Sequence, residues 1–316
     1  MTAGPRILVI GCRGQVATSL AGASWPADSH VACRGRDDFD LTDPVSTLAL
    51  VQAGHPDVII NAAAYTGVDR AEAEPEAAYA LNRDGPAHLA AAAAVLGIPL
   101  IHISTDYVFD GTRSGAWTED DPVAPLGVYG ASKAAGEQAV RERLDAHLIL
   151  RTSWVHAPFG TNFVRTMLRL GRERPDLAVV DDQIGRPTYA PDLAQALATL
   201  AVTLAAGRRD GFGTFHLGGG GEPVSWHGFA AAIFARAAAL GAPVPRLRPI
   251  TTADYPTPAR RPANSVLSGA RIHTVHGLAL RPWPAALDDS LGILLADPAT
   301  VSHRDGALRP GARIGR

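Results

Sequence analysis

A glycine-containing loop between the first predicted strand and the first predicted helix constrains the fold of this chain more than any other feature. The apolar run Arg6–Ile10 predicts a buried strand, and Gly11–Ala17 opens the helix that follows. In this G-x-x-G-x-x-A sequence, Gly11 permits a tight turn, Gly14 lets a pyrophosphate approach the backbone, and Ala17 lets the helix pack closely on the strand. The motif in this position predicts a dinucleotide-binding βαβ unit.

Short β-branched runs alternate with helical stretches through the first half of the chain. Apolar strands separated by helices are typical of βαβ units, which build a parallel sheet covered on both faces. We therefore predict an α/β fold, namely a Rossmann-type doubly wound parallel sheet with a smaller mixed α/β substrate-binding lobe. The predicted strands are Arg6–Ile10, His30–Cys33, Asp57–Ile60, Leu100–Ser104 and His147–Thr152. The predicted helices are Gln15–Ala23, Pro44–Ala53, Pro75–Leu96 and Tyr129–Leu144.

The second half of the chain differs from the first in composition and in sequence pattern. From about Asn162 onward proline and glycine become denser and the regular alternation ends. We predict that residues 1–155 form an NAD(P)-binding Rossmann domain and that residues 156–296 form mainly the substrate-binding lobe, with segments exchanged between the two. Residues 297–316 lack apolar periodicity and are predicted to form a mobile tail.

Composition limits the partners and the compartment. The chain has 29 basic and 31 acidic side chains, so no general field attracts nucleic acid or an anionic membrane. The longest apolar stretch, Ala87–Ile101, is mostly alanine and is broken by glycine and proline, which disfavours a membrane span. Cys12 and Cys33 are not spaced for metal binding and indicate a reducing compartment. With the first strand so near the N-terminus, leaving no room for a signal peptide, we expect a soluble cytoplasmic protein.

The single lysine of the chain points to a catalytic motif. Lys133 follows Tyr129 by four residues in a predicted helix, so both side chains lie on one helical face. With six tyrosines in 316 residues, chance gives this spacing about 2% of the time. An ammonium one turn away lowers the pKa of a phenol from its usual value near 10 and can hold the ribose hydroxyls of a nicotinamide cofactor. The pattern predicts an acid–base tyrosine assisted by lysine.

A hydroxyl pair lies upstream of this motif. The strand Leu100–Ser104 is followed by Thr105, at the carboxyl end of a predicted parallel strand. Ligands of open α/β sheets bind at such strand ends. A hydroxyl there can bind a substrate carbonyl oxygen beside the tyrosine, and a plain cap of the next turn is the alternative.

The end of the second predicted strand bears on which nicotinamide cofactor binds. An acidic residue at this place favours a free ribose 2′-hydroxyl, and an arginine favours a 2′-phosphate. Arginine comes first in the loop, at Arg34, and acidic residues follow at Asp37 and Asp38. We therefore expect NADP(H) or NAD(H), with NADP(H) favoured by Arg34 alone; a solvated loop is the alternative interpretation.

The motifs in this order resemble those of the extended short-chain dehydrogenases/reductases. Five longer stretches resemble the dTDP-4-dehydrorhamnose reductase family, and the likeness runs from about residue 6 to about residue 295. The stretches are Asn61–Glu72, Ser104–Phe109, Arg151–Val155, Asp182–Thr188 and Tyr255–Pro262.

The resemblance implies NAD(P)H-dependent reduction of the C4 keto group of a dTDP-4-keto-6-deoxyhexose, most directly dTDP-4-dehydro-L-rhamnose to dTDP-L-rhamnose. It implies that Tyr129 donates the proton, that Lys133 assists it and binds the ribose, and that Thr105 tunes the proton transfer. With the motifs, it assigns the cofactor to Gly11, Gly14, Gln15, Val16, Arg34, Asp40, Leu41, Ala63, Ala64, Tyr65, Thr66, Tyr129 and Lys133. It assigns the substrate to Thr105, Asp106, Trp154, Arg260 and Arg261.

Departures from the family pattern leave some properties open. Ser19 stands where members can carry a glutamate that helps to bind magnesium at a dimer interface, so no metal site is carried over and a homodimer stays open. A sugar-nucleotide dehydratase would have glutamate after Ser-Thr-Asp, where this chain has Tyr107. Two functions besides the reductase stay open: a related ketosugar reductase of secondary metabolism, and a non-catalytic NADP-binding regulatory subunit of the methionine adenosyltransferase type.

Overall fold

Six strands pair in parallel in the central sheet of the computed structural model, which describes residues 4–296. The tail predicted over residues 297–316 lies outside the described residues. In chain order the strands are β1 (Arg6–Ile10), β2 (His30–Arg34), β3 (Val58–Asn61), β4 (Leu100–Thr105), β5 (His147–Thr152), β6 (Val155–His156), β7 (Asp176–Val180), β8 (Ile184–Gly185), β9 (Thr188–Tyr189), β10 (Gly213–His216), β11 (Val224–Ser225) and β12 (Arg246–Ile250).

The order of the strands in the central sheet is β2, β1, β3, β4, β5 and β10. The chain runs from β1 out to β2 and then crosses back past β1 to β3. The carboxyl ends of β1 and β3 therefore flank a topological switch point, which is where ligands bind in doubly wound sheets. This confirms the predicted Rossmann-type sheet.

Helices cover the sheet and build the second lobe. Among the described residues, no helix has the length and apolar character that a bilayer crossing requires. The helices are α1 (Gln15–Ala21), α2 (Pro44–Gly54), α3 (Val68–Ala73), α4 (Pro75–Tyr79), α5 (Gly85–Leu96), α6 (Val128–Arg143), α7 (Phe163–Glu173), α8 (Ala190–Ala205), α9 (Trp226–Ala239), α10 (Ala270–His276) and α11 (Trp283–Ala296).

The long helix predicted over Pro75–Leu96 differs from the prediction. A π-helical turn at Ala80–Asp84 separates α4 from α5. Pro86 has no N–H to donate to the carbonyl of Asn82, so the regular α-helical bond cannot form there. The other predicted strands and helices are present to within two residues at each end.

The two faces of the sheet bury alternate residues of each strand. Ile7 and Val9 of β1 belong to the core beneath α1 and α8, whereas Leu8 and Ile10 belong to the core beneath α2 and α5. Successive side chains of a strand point to opposite faces, so a sheet covered on both sides needs apolar residues at every position. This accounts for the continuous apolar runs in the sequence.

A second core forms the smaller lobe. It lies between α7, α9, α11 and the parallel pair β7–β12, and it contains Leu168, Phe229 and Leu287. The chain also returns to the first core, because β10 pairs with β5 and α8 packs on α1. The division at residue 155 stays a prediction, and parts of the second half lie on the central sheet.

Candidate active site

A cleft of about 750 Å³ opens at the switch point, at the carboxyl ends of β1, β2 and β3. We call it the first cleft. The loops that follow these three strands supply most of its lining. The lining includes nine of the residues predicted to contact the cofactor: Gly11, Gly14, Arg34, Asp40, Leu41, Ala63, Ala64, Tyr65 and Thr66.

The two glycines of the loop after β1 have different structural roles. Gly11 has a φ of +97°, and a Cβ there would lie 2.9 Å from the backbone nitrogen of Ala63. Gly14 precedes α1, and a Cβ there would meet no atom within 4 Å. Gly11 therefore sets the turn. Gly14 leaves open space at the helix N-terminus, which fits a phosphate that must approach the backbone closely.

Gln15 and Val16 begin α1 and do not line the first cleft. The Gln15 side chain turns to the second half of the chain instead. Its Nε2 lies 3.4 Å from the carbonyl oxygen of Val155, and its Oε1 accepts a hydrogen bond of 2.9 Å from Asn162. Gln15 thus joins the phosphate loop to the segment that leads into the smaller lobe.

The acidic side chains of the loop after β2 bind neighbouring groups of the protein. Asp37 pairs with Arg13, and the Asp38 carboxylate accepts the backbone N–H of Gly35 at 2.7 Å. Asp40 accepts both the N–H and the hydroxyl of Thr42, and these bonds hold the pKa of its carboxyl below the usual range. Arg34 lines the cleft and donates to the carbonyl of Cys33 at 2.9 Å. This arrangement favours a guanidinium rather than a carboxylate as the ribose contact.

Tyr129 and Thr105 meet beside the first cleft. Tyr129 lies in the first turn of α6, whose start is fixed by the Glu72 carboxylate, since Glu72 accepts the Val128 N–H at 2.8 Å. The Thr105 hydroxyl at the end of β4 donates to Asp106 Oδ1 at 3.1 Å, and it lies close enough to the Tyr129 phenol to act on the pKa of that phenol. The sheet and α6 thus bring two of the three predicted catalytic groups into contact.

The pKa of Tyr129 differs from the expectation. Burial raises it to about 12, and the neighbouring Thr105 hydroxyl only partly opposes this. Lys133 does not depress it, because the ammonium donates to the carbonyl of Ile103 at 2.6 Å and lies 3.5 Å from His102 Nε2. The phenol therefore keeps its proton at neutral pH and is suited to donate it.

Lys133 is buried, and its charge is maintained by a neighbour. Burial lowers its pKa to about 8, and the carboxylate of Glu137, one turn along α6, acts in the opposite direction. Glu137 itself pairs with Arg151 at 2.7 Å and accepts the Ser104 hydroxyl at 2.6 Å. These contacts fix α6 on β4 and β5 beneath the site.

Asn82 is a site residue that was not predicted. In the π-helical turn its Oδ1 accepts the N–H of Tyr65 at 2.8 Å, and its Nδ2 donates to the carbonyl of Tyr65 at 3.0 Å. The same Nδ2 lies 3.0 Å from the hydroxyl of Ser132 on α6. Asn82 therefore ties the loop after β3 to the catalytic helix. An asparagine four residues before a proline, in an alanine-rich helix, was the signal in the sequence.

A second cleft of about 710 Å³ lies on the smaller lobe. Tyr107 lines this cleft, and its ring packs edge-on against that of Tyr129, with 5.4 Å between the ring centroids. The second cleft is therefore adjacent to Tyr129. Arg174, Arg248 and Arg261 also line this cleft. The three cations outnumber the two carboxylates in the lining, Asp176 and Asp254, so this cleft can hold an anionic ligand with an apolar or aromatic part.

The predicted substrate residues divide into those near this cleft and one apart from it. Arg261 lines the cleft and pairs with Asp69 at 2.7 Å, whereas Arg260 is exposed and lies outside the lining. Trp154 has a φ of +50°. Its ring stacks on that of Trp226, which lines the cleft, with 3.5 Å between the ring centroids. Asp106 is buried beside Thr105, and burial raises its pKa to about 6.

No metal-ligand cluster occurs in the part of the chain that the structure describes. At Ser19, where the resemblance would place a magnesium-binding glutamate, the hydroxyl is buried and donates to the carbonyl of Gln15 at 2.8 Å.

Known proteins match this chain over most of its length. The profile of the RmlD substrate binding domain family matches residues 5–295. A dTDP-4-dehydrorhamnose reductase of Sinorhizobium fredii is 44% identical over 88% of this chain and 94% of its own. One of Streptomyces griseus is 40% identical over 98% of both chains. The crystal structure of dTDP-4-dehydrorhamnose reductase from Bacillus anthracis in complex with NADP has a TM-score of 0.85 and 35% identity, covering 91% of this chain and 99% of that one.

Proposed function

The chain belongs to the RmlD substrate binding domain family, and we propose that it reduces the C4 keto group of dTDP-4-dehydro-L-rhamnose to give dTDP-L-rhamnose, with NADPH as the reductant. The observation that carries this proposal is the adjacent pair Thr105–Tyr129, whose tyrosine packs against Tyr107 of the second cleft and against the apolar cluster of Tyr65, which lines the first cleft. Such a pair suits the reduction of a carbonyl, because the oxygen that gains charge needs a proton donor and a hydroxyl beside it.

The first cleft suits NADP(H). Gly14 leaves an open helix N-terminus that would receive the pyrophosphate, Ala63 to Thr66 would border the nicotinamide, and Arg34 would bind the 2′-phosphate. When bound, the nicotinamide supplies the hydride that goes to C4 of the sugar. Lys133, whose buried ammonium donates to the carbonyl of Ile103, would hold the ribose hydroxyls.

In the proposed reaction, Tyr129 gives its proton to O4 of the sugar while Thr105 hydrogen-bonds the same oxygen. The raised pKa of Tyr129 keeps the proton available until the oxygen develops negative charge. Asp106 and Trp154 contact the sugar nucleotide, and Arg261 pairs with its diphosphate from the second cleft.

Tyr107 argues against dehydration of the sugar. Its aromatic ring occupies the position of the dehydratase glutamate and packs against Tyr129. Without a carboxylate there, the chain has no base at that position to remove the proton that water elimination requires. The cytoplasmic location and the homodimer stay predictions.

The test is a spectrophotometric assay of NADPH consumption on addition of dTDP-4-keto-6-deoxy-L-lyxo-hexose, with NADH in parallel and a panel of related dTDP-ketosugars. We expect oxidation of NADPH, and nuclear magnetic resonance of the product gives the configuration at C4. If the protein binds NADPH but oxidises it with none of the ketosugars, the reductase proposal is wrong and a non-catalytic regulatory role is favoured.

A further inference from the structure

A chain of buried polar groups connects the first cleft to Lys133. Asn61 ends β3 and lies in register with His102 of β4, so the two side chains share one face of the sheet. Asn61 Oδ1 accepts the N–H of Ala63, which lines the first cleft, at 3.1 Å. Asn61 Nδ2 lies 3.1 Å from His102 Nδ1, and His102 Nε2 lies 3.5 Å from Lys133 Nζ. Asn61 and His102 are fully buried, and Lys133 is 2% exposed.

The backbone of Ala63 determines which ring nitrogen of His102 carries the proton. A backbone N–H can only donate, so the Asn61 oxygen faces Ala63 and the Asn61 amide nitrogen faces His102. That nitrogen donates, so His102 Nδ1 accepts with a lone pair. Burial and the neighbouring Lys133 hold the pKa of His102 well below its usual value, so the ring is neutral. The one N–H of the neutral ring is then at Nε2, which faces Lys133.

An N–H that faces Lys133 favours one protonation state of the lysine. The uncharged amine has a lone pair that can accept the Nε2–H, while one of its own N–H groups donates to the carbonyl of Ile103 at 2.6 Å. The ammonium has no lone pair, so it cannot accept from the buried Nε2–H. It has three N–H groups, of which one donates to Ile103 and the others are free for the ribose hydroxyls. His102 therefore opposes the charge that the proposed cofactor contact needs.

We propose that His102 is a positioning residue that makes Lys133 a titrating group rather than a permanent cation, so that the cofactor binds preferentially when Lys133 Nζ carries its third proton. This inference rests on the proposed contact of Lys133 with the ribose of NADP(H). When Lys133 is an amine, solvent supplies the one proton that converts it to the ammonium, and the bond from Nε2–H to Nζ breaks. Loss of that proton to solvent restores the bond.

The groups around Lys133 give the sign of the pH dependence. Burial lowers the pKa of Lys133 to about 8, and the carboxylate of Glu137, which pairs with Arg151, acts in the opposite direction. His147 of β5 acts on His102 and, like Lys133, lowers its pKa. Because the ammonium is the form that binds the ribose, the dissociation constant of NADPH is expected to rise as the pH increases above the pKa of Lys133, by up to about tenfold per pH unit.

The single lysine of the chain makes a direct test possible. Protein grown with isotope-labelled lysine gives one lysine side-chain signal in nuclear magnetic resonance, so the pKa of Lys133 can be titrated without cofactor or substrate. His102→Leu removes the N–H and keeps a side chain of similar volume. We expect the pKa of Lys133 to rise by roughly one unit. The rise in the NADPH dissociation constant, measured by fluorescence titration, should move to higher pH by the same amount.

His102→Gln is the matched control. Its amide can accept from Asn61 through the oxygen and donate to Lys133 through the nitrogen, so the pKa of Lys133 should stay within about half a unit of wild type. An unchanged or lower pKa of Lys133 in His102→Leu would overturn the proposal, because a ring that only fills space or that accepts from the ammonium gives that result. NADPH binding that does not weaken above the pKa of Lys133 would also overturn it.

Nitrogen-15 spectra of labelled histidine test the tautomer in the wild-type protein, even if His102→Leu does not fold. The signals of His102 are identified among the 11 histidines by their loss in His102→Gln. A protonated Nε2 and an unprotonated Nδ1 are expected, and an unprotonated Nε2 would overturn the proposal. A protein that binds no NADPH would instead contradict the proposed function, and the two resonance measurements on the free protein would still test the action of His102 on Lys133.

Discussion

The two clefts are similar in volume but are built in opposite ways. The first cleft takes its lining from three loops that follow neighbouring strands, at residues 10–14, 34–41 and 62–67, together with Arg70 and Leu81. The second cleft draws on segments that are far apart, including Tyr107, Phe163 and Arg261. A site assembled from strand ends is defined by local motifs, whereas a site assembled from distant segments depends on how the lobes pack.

This difference has a functional consequence. The loops of the first cleft fit a ligand that many doubly wound sheets bind, and the second cleft provides the surroundings that distinguish one substrate from another. Tyr129 packs against Tyr107, which lines the second cleft, and against the cluster of Tyr65, which lines the first. Variants in each cleft should therefore affect different kinetic constants, and variants at the junction should affect turnover itself.

The largest effect is expected at the junction. Tyr129→Phe removes the proton donor but leaves an aromatic ring of nearly the same shape. We expect kcat to fall by roughly 10²- to 10⁴-fold, the usual contribution of general acid catalysis. Fluorescence titration with NADPH should give a dissociation constant within a few-fold of wild type. An unchanged kcat would mean that the mechanism is wrong even if the reaction is right.

Lys133→Arg is expected to have the next largest effect on kcat. The guanidinium keeps the positive charge, but it is planar and larger than the ammonium that donates to Ile103 in a buried space. We expect kcat to fall by about 10²-fold. Circular dichroism shows whether the variant is folded. Near-normal turnover would show that charge alone is needed at this position and that the single lysine is an accident of composition.

A smaller effect distinguishes the two neighbouring arginines. Arg261→Ala removes a cation from the second cleft, and the loss of a charge-assisted contact to a diphosphate should raise KM for the sugar nucleotide roughly 10- to 100-fold. KM for NADPH should stay near wild type. Arg260→Ala is the matched control, because Arg260 is exposed outside the lining and its loss should leave both constants unchanged. A larger effect of Arg260→Ala than of Arg261→Ala would reverse the assignment.

The smallest effect is expected in the first cleft. Arg34→Ala should raise KM for NADPH roughly 3- to 10-fold and leave KM for NADH nearly unchanged, since only NADPH carries the 2′-phosphate. KM for the sugar nucleotide should not change. An equal rise in KM for NADPH and for NADH would show that Arg34 does not bind the 2′-phosphate.

The contrast between the clefts also explains what was predictable. Gly11, Gly14 and the strand that precedes them form a contiguous motif whose geometry follows from the backbone, so the first cleft could be located from the sequence. The spacing of Tyr129 and Lys133 likewise follows from helical periodicity.

Features that depend on packing could not be read in the same way. The pKa of Tyr129 is set by burial, so the expected lowering by Lys133 was wrong. The role of Asn82 depends on a π-helical turn, which a periodicity of 3.6 residues does not reveal. Arg260 and Arg261 are adjacent in the same loop motif, so the sequence does not show which of the two side chains lines the second cleft.

Titration calorimetry of dTDP into the protein saturated with NADP⁺ tests the central claim most directly. Both ligands contain a nucleotide with a diphosphate, so each is chemically able to enter either cleft. If the cofactor and the sugar nucleotide have separate clefts that meet at Tyr129, dTDP should bind with one site per chain and with a dissociation constant within about threefold of that measured without NADP⁺. A loss of dTDP binding in the presence of saturating NADP⁺ would show that the two ligands compete for one cleft and would contradict this account.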